Sequence, residues 1–220
     1  MDGDGMADQF GEHADDLIGD LRAQRLPRLF IISGPSGVGK DTVIERLRER
    51  YPDAYFTVTA TTRVRRPGEI DGVHYYFLDA TTFVDRVGDD EFLESALVYG
   101  HHYGVPRTPI RAALQRGQDV FIKVDIQGAA SIRQQVAHTI SIFLAPESMT
   151  ALLQRLRSRK TDDPEALMHR FGTARRELEA ARDFDYVIFN ESERVERTLD
   201  QISAILIAEH CRTNQAEMQL

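Results

Sequence analysis

The sequence predicts an α/β fold in which a parallel β-sheet is covered by helices on both faces. Short apolar runs alternate along the chain with longer segments of helical periodicity, and this alternation is typical of strands joined by crossover helices. The runs are continuously apolar, which indicates strands that are buried on both faces. The first run ends in a glycine-rich loop, and ligands of such folds bind at the carboxyl ends of the strands.

Five apolar runs are predicted as strands of this sheet, and six amphipathic segments as the helices that cover it. The predicted strands are 28–33, 55–59, 119–124, 139–145 and 186–190, and the predicted helices are 40–51, 108–117, 127–136, 148–159, 164–183 and 195–211. In the last helix the apolar side chains have helical spacing, and four are predicted to face inward: Leu199, Ile202, Ile205 and Leu206.

Residues 60–106 interrupt this pattern and are predicted to form a lobe inserted into the core. The segment is rich in Arg, Gly, Thr, Tyr and His, and it contains short predicted strands at 75–78 and 92–99. A chain of 220 residues has room for one compact domain with such a lobe. The expected organisation is an acidic, flexible tail at 1–26, one domain at 27–212 and a short C-terminal tail at 213–220.

The composition excludes several classes of function. The net charge of −8 argues against a protein that coats nucleic acid, and there is no run of about 18 apolar residues to span a membrane. The N-terminus lacks the basic and apolar segments of a secretory signal. The single cysteine, Cys211, suits a reducing compartment. We therefore expect a cytoplasmic protein that binds neither nucleic acid nor membrane.

The stretch GPSGVGK, residues 34–40, has the composition and setting of a phosphate-binding loop. Its glycines permit positive φ and let backbone N–H groups converge on an anion, and the following helix directs its positive end at the same point. Lys40 adds a mobile ammonium for the phosphates of a nucleoside triphosphate. The alternative is a simple glycine-rich turn, against which the strand, lysine and helix argue. The pattern G-x-x-x-x-G-K-[ST] expects a hydroxyl next, but the chain has Asp41 there, followed by Thr42.

The inserted lobe contains side chains suited to a nucleoside monophosphate. Arg63 and Arg66 lie in one loop, and the phenols of Tyr75 and Tyr103 follow. Two guanidinium groups and two phenols can surround a phosphate dianion, although the tyrosines could equally be packed aromatic side chains. A buried carboxylate such as Glu94 can accept two hydrogen bonds side by side, which matches guanine and rejects adenine.

These motifs, taken in order, resemble the guanylate kinase family over about residues 28–212. The resemblance implies a P-loop nucleoside monophosphate kinase fold, with a GMP-binding lobe at about 60–106 and a helical lid at about 151–172. It also implies transfer of the ATP γ-phosphoryl group to GMP, and to dGMP, with Mg²⁺, in purine nucleotide metabolism. A monomer and a homodimer both remain open. The matching segments are GPSGVGK, TTRVRRPGE, DGVHYYF, FLE, YG, VDIQGA, LLQRLRSRKTDDPEALMHR and DYVIFN.

The resemblance assigns roles to individual positions. The expected ATP-binding residues are Gly34, Pro35, Ser36, Gly37, Val38, Gly39, Lys40, Asp41, Thr42 and, near the adenine, Asn190. The expected GMP-binding residues are Thr59 and Glu94 at the guanine, Arg63, Arg66, Tyr75 and Tyr103 at the phosphate, and also Glu69 and Asp125. The expected catalytic cations are Lys40, Arg155, Arg159 and Arg170. Without the resemblance, Arg155 and Arg159 would suit a solvated helix face equally well.

Three positions depart from the family pattern. Asp41 stands where Ser or Gly is common, Lys123 where an acid is more usual, and Val105 where a hydroxyl usually reaches the guanine. An aspartate near phosphates is unfavourable unless it is paired, linked to the metal or turned away, although it suits the first turn of a helix. We hypothesise that Asp41 lies near Lys123 or joins the Mg²⁺ site, directly or through water, together with Thr42.

Two other functions remain open. The chain also resembles ribose 1,5-bisphosphokinases in two motifs, GKD followed by a residue with a hydroxyl group, and YGV. A sugar bisphosphate, however, has no base to pair with Glu94. Guanylate-kinase-like modules of scaffold proteins bind peptides with a degraded nucleotide site, whereas this chain keeps Lys40 and the loop glycines. His101 and His102 could suggest a metal site, but neighbours on a strand point apart, so we interpret them as lobe surface.

Overall fold

The computed structural model describes residues 15–19, 26–98, 100–158, 164–213 and 220, with the backbone alone at 158 and 164–171. The strands are β1 (Leu29–Ser33), β2 (Tyr55–Phe56), β3 (Thr59–Thr61), β4 (Tyr75–Phe77), β5 (Phe92–Val98), β6 (His101–Pro106), β7 (Val120–Lys123), β8 (Ile140–Pro146) and β9 (Tyr186–Asn190). The main helices are α1 (Lys40–Arg50), α2 (Ala80–Gly88), α3 (Arg107–Gln115), α4 (Ile126–Gln135), α5 (Met149–Ser158), α6 (Pro164–Glu179) and α7 (Val195–His210).

The core sheet has the strand order β2-β7-β1-β8-β9, and each of its pairs is parallel. Side chains of β1 alternate between two apolar clusters. Phe30 and Ile32 pack with residues of α1 and α7, whereas Leu29 and Ile31 pack with residues of α3 and α4. Both faces of the strand are therefore covered, which explains why β1 is apolar at every position but its last. The predicted α/β fold class is confirmed.

Helix α7 closes one face of the core sheet. Leu199, Ile202 and Leu206 are buried in the cluster on that face, and Ile205 packs against it while partly exposed. The inward-facing residues predicted from helical spacing are therefore confirmed. Within the described part of the chain, none of the helices is long and apolar enough to cross a membrane.

Strands β3, β4, β5 and β6 form a second sheet with the order β4-β3-β6-β5. Strands β3 and β4 are parallel, and the other two pairs are antiparallel. Helix α2 covers this sheet, and the ring of Phe83 stacks on that of Phe92 with centroids 4.8 Å apart. The helix begins after Asp79, whose side chain accepts a hydrogen bond from the backbone N–H of Thr82. The sequence pattern predicts neither α2 nor β6.

The single strand predicted at 55–59 is wrong. Strand β2 ends at Phe56 at the edge of the core sheet, and β3 begins at Thr59 in the second sheet. Phe56 stacks on Phe121 of the core, whereas Ala60 is buried in the apolar cluster of the second sheet. Because the chain buries apolar side chains in both sheets, the sequence pattern at 55–59 is that of one continuous strand, although the backbone passes from the core sheet to the second sheet.

Candidate active site

The candidate active site is a cleft at the carboxyl ends of β1 and β7, which are adjacent and parallel. Strand β1 leads into the glycine-rich loop and α1, and β7 ends at Lys123. The second sheet forms the opposite wall of the cleft, which has a volume of about 190 Å³. The predicted site residues that line it are Gly34, Ser36, Lys40, Asp41, Thr59, Arg63, Arg66, Tyr75, Glu94, Tyr103 and Asp125.

The conformation of the glycine-rich loop requires glycine at several positions. Gly34 has φ 139° and Gly39 has φ 104°, a region that residues with a side chain rarely adopt. A Cβ atom at Gly34 would lie 2.2 Å from the carbonyl oxygen of Leu144, and one at Gly39 would lie 2.6 Å from Nδ2 of Asn190. The loop therefore packs closely against β8 and β9.

Lys40 begins α1 and folds back over the loop. Its Nζ donates hydrogen bonds to the carbonyl oxygens of Gly34 and Pro35, the latter at 3.1 Å. Burial lowers the pKa of Lys40, and the nearby carboxylates of Glu177 and Asp41 act in the opposite direction. The ammonium is thus held at the mouth of the loop, where an anion would bind.

Asn190 and Arg155 contact the side of the loop that faces away from this cleft. Asn190 Nδ2 donates to the carbonyl oxygen of Val38 at 2.8 Å, and its Oδ1 accepts from Thr198 Oγ1 at 2.9 Å. Arg155 Nη1 also donates to the Val38 carbonyl, at 3.0 Å. Together with Thr42, Gly37 and Gly39, both residues line a second cavity of about 360 Å³.

Arg63 is the central cation of the opposite wall. Its guanidinium donates to Glu69 Oε1 at 2.7 Å and lies over the ring of Tyr75, 5.4 Å from the centroid. Glu69 also accepts the backbone N–H of Arg66 at 2.7 Å. Glu69 therefore stabilises the loop that carries Arg63 and Arg66, which we call the arginine loop. Both arginines line the cleft.

Glu94 is a buried carboxyl at the end of the cleft, with 7% of its surface exposed. Burial, and secondarily the charge of Asp125, raises the pKa of Glu94 to about 7. Asp125 caps α4 by accepting the backbone N–H of Gly128 at 2.8 Å. A Cβ atom at Gly128 would lie 3.0 Å from the carboxyl carbon of Glu94, so a glycine here leaves room for the Glu94 side chain.

Asp41 and Lys123 both line the cleft and form an ion pair. Lys123 Nζ lies 2.6 Å from Asp41 Oδ1 and 3.3 Å from the hydroxyl of Tyr75. Burial lowers the pKa of Lys123, but Asp41 and Tyr75 outweigh it, and the pKa lies above its usual value. The predicted proximity of Asp41 and Lys123 is confirmed.

Glu177 of α6 also lines the cleft, although it is not among the site residues predicted from the sequence. Its carboxyl lies near Lys40 and accepts a hydrogen bond from the backbone N–H of Ser36. Burial raises the pKa of Glu177, and Oε2 has no hydrogen-bond partner among the described residues. A glutamate in the polar part of a helical pattern gives no signal that distinguishes it from a solvent-facing one.

Two of the predicted lid arginines cannot be placed. Arg159 lies outside the described residues, and Arg170 belongs to α6 but only its backbone is described. His101 and His102 lie on β6, and the ring of His102 stacks on Phe83. The described residues contain no group of three or more His, Cys, Asp or Glu side chains placed to hold a metal ion.

The sequence model of the guanylate kinase family matches residues 26–209. The chain belongs to the guanylate kinase family. A guanylate kinase of Clostridium perfringens (strain SM101 / Type A) is 41% identical over 192 residues, which cover 87% of this chain and 88% of the relative. The chloroplastic/mitochondrial guanylate kinase 2 of Oryza sativa subsp. japonica is 43% identical over 195 residues, 88% of this chain and 68% of the relative. The crystal structure of guanylate kinase from Anaplasma phagocytophilum has a TM-score of 0.70 at 32% identity and covers 86% of this chain and 89% of that one.

Within this guanylate kinase chain, two of the three departures from the family pattern contact each other. Asp41 and Lys123 form the ion pair described above. Val105 lies opposite Glu94 in the pairing of β5 with β6, and its fully buried side chain packs in the core cluster with α3 and α4. The charge of the cleft is therefore altered between the glycine-rich loop and the second sheet.

Proposed function

We propose that the chain transfers the γ-phosphoryl group of ATP to the phosphate of GMP, or of dGMP, to give ADP and GDP or dGDP. The observation that carries this proposal is the shared cleft. One wall holds the glycine-rich loop with Lys40, and the other holds Arg63, Arg66 and a buried carboxyl, Glu94. A polyphosphate, a second phosphate and a guanine thus have matching groups within one cavity. The single cysteine supports the cytoplasm as the site of the reaction.

The acceptor phosphate is already an anion at neutral pH, so the reaction needs no general base. The protein acts by positioning the two phosphates in line and by offsetting the charge that spreads over the transferred group. We assign Lys40 to the donor phosphates, and Arg63 and Tyr75 to the acceptor phosphate. Ionised Glu94 accepts the ring N–H and amino group of guanine, and it would repel the ring acceptor of adenine.

The loop residues fit a magnesium ion that arrives with ATP. Mg²⁺ usually takes one or two protein oxygen ligands and completes its shell with phosphates and water. The Asp41 carboxylate and the Thr42 hydroxyl are exposed oxygen donors in the first turn of α1. When bound, the ion would neutralise charge on the phosphates. The cavity beside Asn190 and Thr42 lies behind the loop and is the space that we assign to the adenine.

The proposal is tested by measuring ADP formation with GMP, dGMP, AMP and ribose 1,5-bisphosphate as acceptors. We expect turnover with GMP and dGMP and little with the other two. Lys40→Ala and Arg63→Ala should each lower turnover with GMP by more than about 100-fold, since each removes a cation that faces the transferred charge. Arg116→Ala is the matched control, because Arg116 is exposed near the amino end of β7.

Three outcomes would contradict the proposal. A preference for the sugar bisphosphate would point to a sugar-phosphate kinase, and no turnover with any acceptor would point to a binding module. Unchanged rates in Lys40→Ala or Arg63→Ala would remove the roles given to these residues. Circular dichroism of each variant shows whether the fold survives, so that lost activity is not mistaken for unfolding.

A further inference from the structure

Lys123 joins the two walls of the cleft through its side chain. Its Nζ lies 2.6 Å from Asp41, which follows Lys40 in the first turn of α1, and 3.3 Å from the hydroxyl of Tyr75 on β4. The ammonium also lies 5.0 Å from the centre of the Tyr75 ring. The glycine-rich loop and the wall formed by the second sheet, which we call the acceptor wall, are therefore both in contact with the ammonium of Lys123.

We propose that Lys123 is a further catalytic residue, which binds the acceptor phosphate and stays on it while the phosphoryl group is transferred. This inference rests on the proposed function and extends it. A cation at the junction of the two walls contacts the phosphate at the place where the donor and acceptor oxygens approach. Charge that develops on the transferred group is stabilised most strongly by a cation that is already in position.

The position of the ammonium supports a contact with the phosphate. Tyr75 lines the cleft beside Arg63, and both are predicted ligands of the GMP phosphate. A group within hydrogen-bonding distance of the Tyr75 hydroxyl is within reach of an anion bound by that hydroxyl. An ammonium has three N–H donors, and Asp41 and Tyr75 take two of them among the described residues.

The ion pair with Asp41 holds Lys123 without fixing it. The side chain of Asp41 is 67% exposed, whereas that of Lys123 is 20% exposed. Because the Asp41 carboxylate can return to water while the largely covered ammonium keeps its place, a phosphate dianion in the cleft can replace Asp41 as the partner of Lys123. Asp41 thereby keeps a cation in place in the cleft and gives it up to the acceptor phosphate.

The test compares Lys123→Met, which keeps most of the length of the side chain and removes its charge, with Lys123→Arg. Binding of GMP and of guanosine is measured by calorimetry without ATP or metal, and turnover with GMP is measured separately. We expect Lys123→Met to weaken GMP binding about tenfold, to leave guanosine binding unchanged, and to lower kcat about 100-fold. Lys123→Arg should recover at least part of both losses. Arg116→Met controls for the loss of one positive charge far from the cleft.

Asp41→Asn provides an independent readout of the exchange. Because this change releases Lys123 from its carboxylate, GMP should bind at least as tightly as to the wild type, and weaker binding would overturn the proposal. The proposal also fails if Lys123→Met weakens GMP and guanosine equally, or if its kcat is unchanged. If the wild type does not phosphorylate GMP, the proposed function fails instead; an active wild type with an equally active Lys123→Met variant overturns only this inference.

Discussion

In the proposed function, the carboxyl of Glu94 accepts two hydrogen bonds from guanine and so has to be ionised in a place that disfavours ionisation. Glu94 is buried beside Asp125, and its pKa of about 7 reflects chiefly the loss of solvent. Burial also makes the carboxyl selective, because a base that cannot donate two hydrogen bonds would leave it unsatisfied away from water. The same environment therefore brings the titration of Glu94 into the neutral range and would provide the proposed specificity.

Guanosine binding should weaken as the pH falls through 7. The carboxylate accepts the two guanine donors, whereas the protonated carboxyl presents a donor of its own, so affinity is lost on the acid side of the pKa. With a pKa of about 7 for Glu94, we expect binding about tenfold weaker at pH 6 than at pH 8. Guanosine is used because it has no phosphate that titrates in this range.

Glu94→Gln is the matched variant for this experiment. It should bind guanosine weakly and with the same affinity at both pH values, because the amide does not titrate. Calorimetry at pH 6, 7 and 8 measures both proteins. A wild-type affinity that is independent of pH would show that Glu94 does not carry the recognition.

Some contacts of the cleft could be predicted from the sequence, and others could not. Asp41 follows the loop lysine, and Lys123 ends a strand that precedes a recognisable motif; since carboxyl ends of parallel strands meet, their proximity was predictable. Glu177 reaches the loop through the packing of α6, and Glu69 lies behind Arg63 through the fold of the arginine loop. Such placements depend on tertiary packing, which a single sequence does not encode locally.

At the scale of elements, the glycine-rich loop is held by β9 and α5. In a tight loop, backbone carbonyl oxygens often have no partner in the backbone. Here the side chains of Asn190 and Arg155 both donate hydrogen bonds to the carbonyl oxygen of Val38. Asn190 is itself oriented by Thr198 of α7. The loop is therefore preorganised by side chains from elements that follow it far along the chain, which lowers the cost of binding a polyphosphate.

Asn190→Ala should weaken ATP binding about tenfold and leave GMP binding unchanged, because the loop loses a brace while the acceptor wall is untouched. We also expect the free energy of unfolding to fall by about 1–3 kcal/mol, since a buried hydrogen-bonded amide is removed. Calorimetry with ATP and with GMP separates the two effects. Ser141→Ala is the control, because Ser141 is also buried and hydrogen-bonded, to Asp185, but lines neither the cleft nor the cavity beside Asn190. Equal losses for both nucleotides would indicate general unfolding.

Element boundaries were least predictable where the chain changes sheet. The continuous runs of β1, β7, β8 and β9 gave the core sheet correctly, because a strand covered on both faces is apolar throughout. The run at 55–59 contains the passage from β2 to β3. Apolar character reports burial and not the identity of the neighbouring strand, so the pattern cannot show that Phe56 and Ala60 are buried in different clusters.

At the scale of the whole molecule, the cleft is a region where function opposes stability. The core sheet and the second sheet meet around a set of ionisable groups that includes Lys40, Glu94, Asp125 and Glu177. Burial shifts the pKa of Lys40 downward and those of Glu94 and Glu177 upward. At all three residues the fold disfavours the charged form. The proposed reaction uses that charged form at Lys40 and at Glu94, so part of the folding free energy is given up to prepare the site.

Glu94→Gln should therefore stabilise the fold at pH 8 and not at pH 4.5. A carboxyl whose pKa is raised on folding contributes its stability below its unfolded pKa of 4.5 and loses it as the pH rises through about 7. For wild type this loss is on the order of 3 kcal/mol by pH 8, and the uncharged amide avoids it. Urea unfolding at both pH values measures the difference, with Glu45→Gln at an exposed position of α1 as the control for the loss of one carboxyl group. If Glu94→Gln changed stability by the same amount at pH 4.5 and pH 8, the cost of ionising Glu94 would not be borne by the fold.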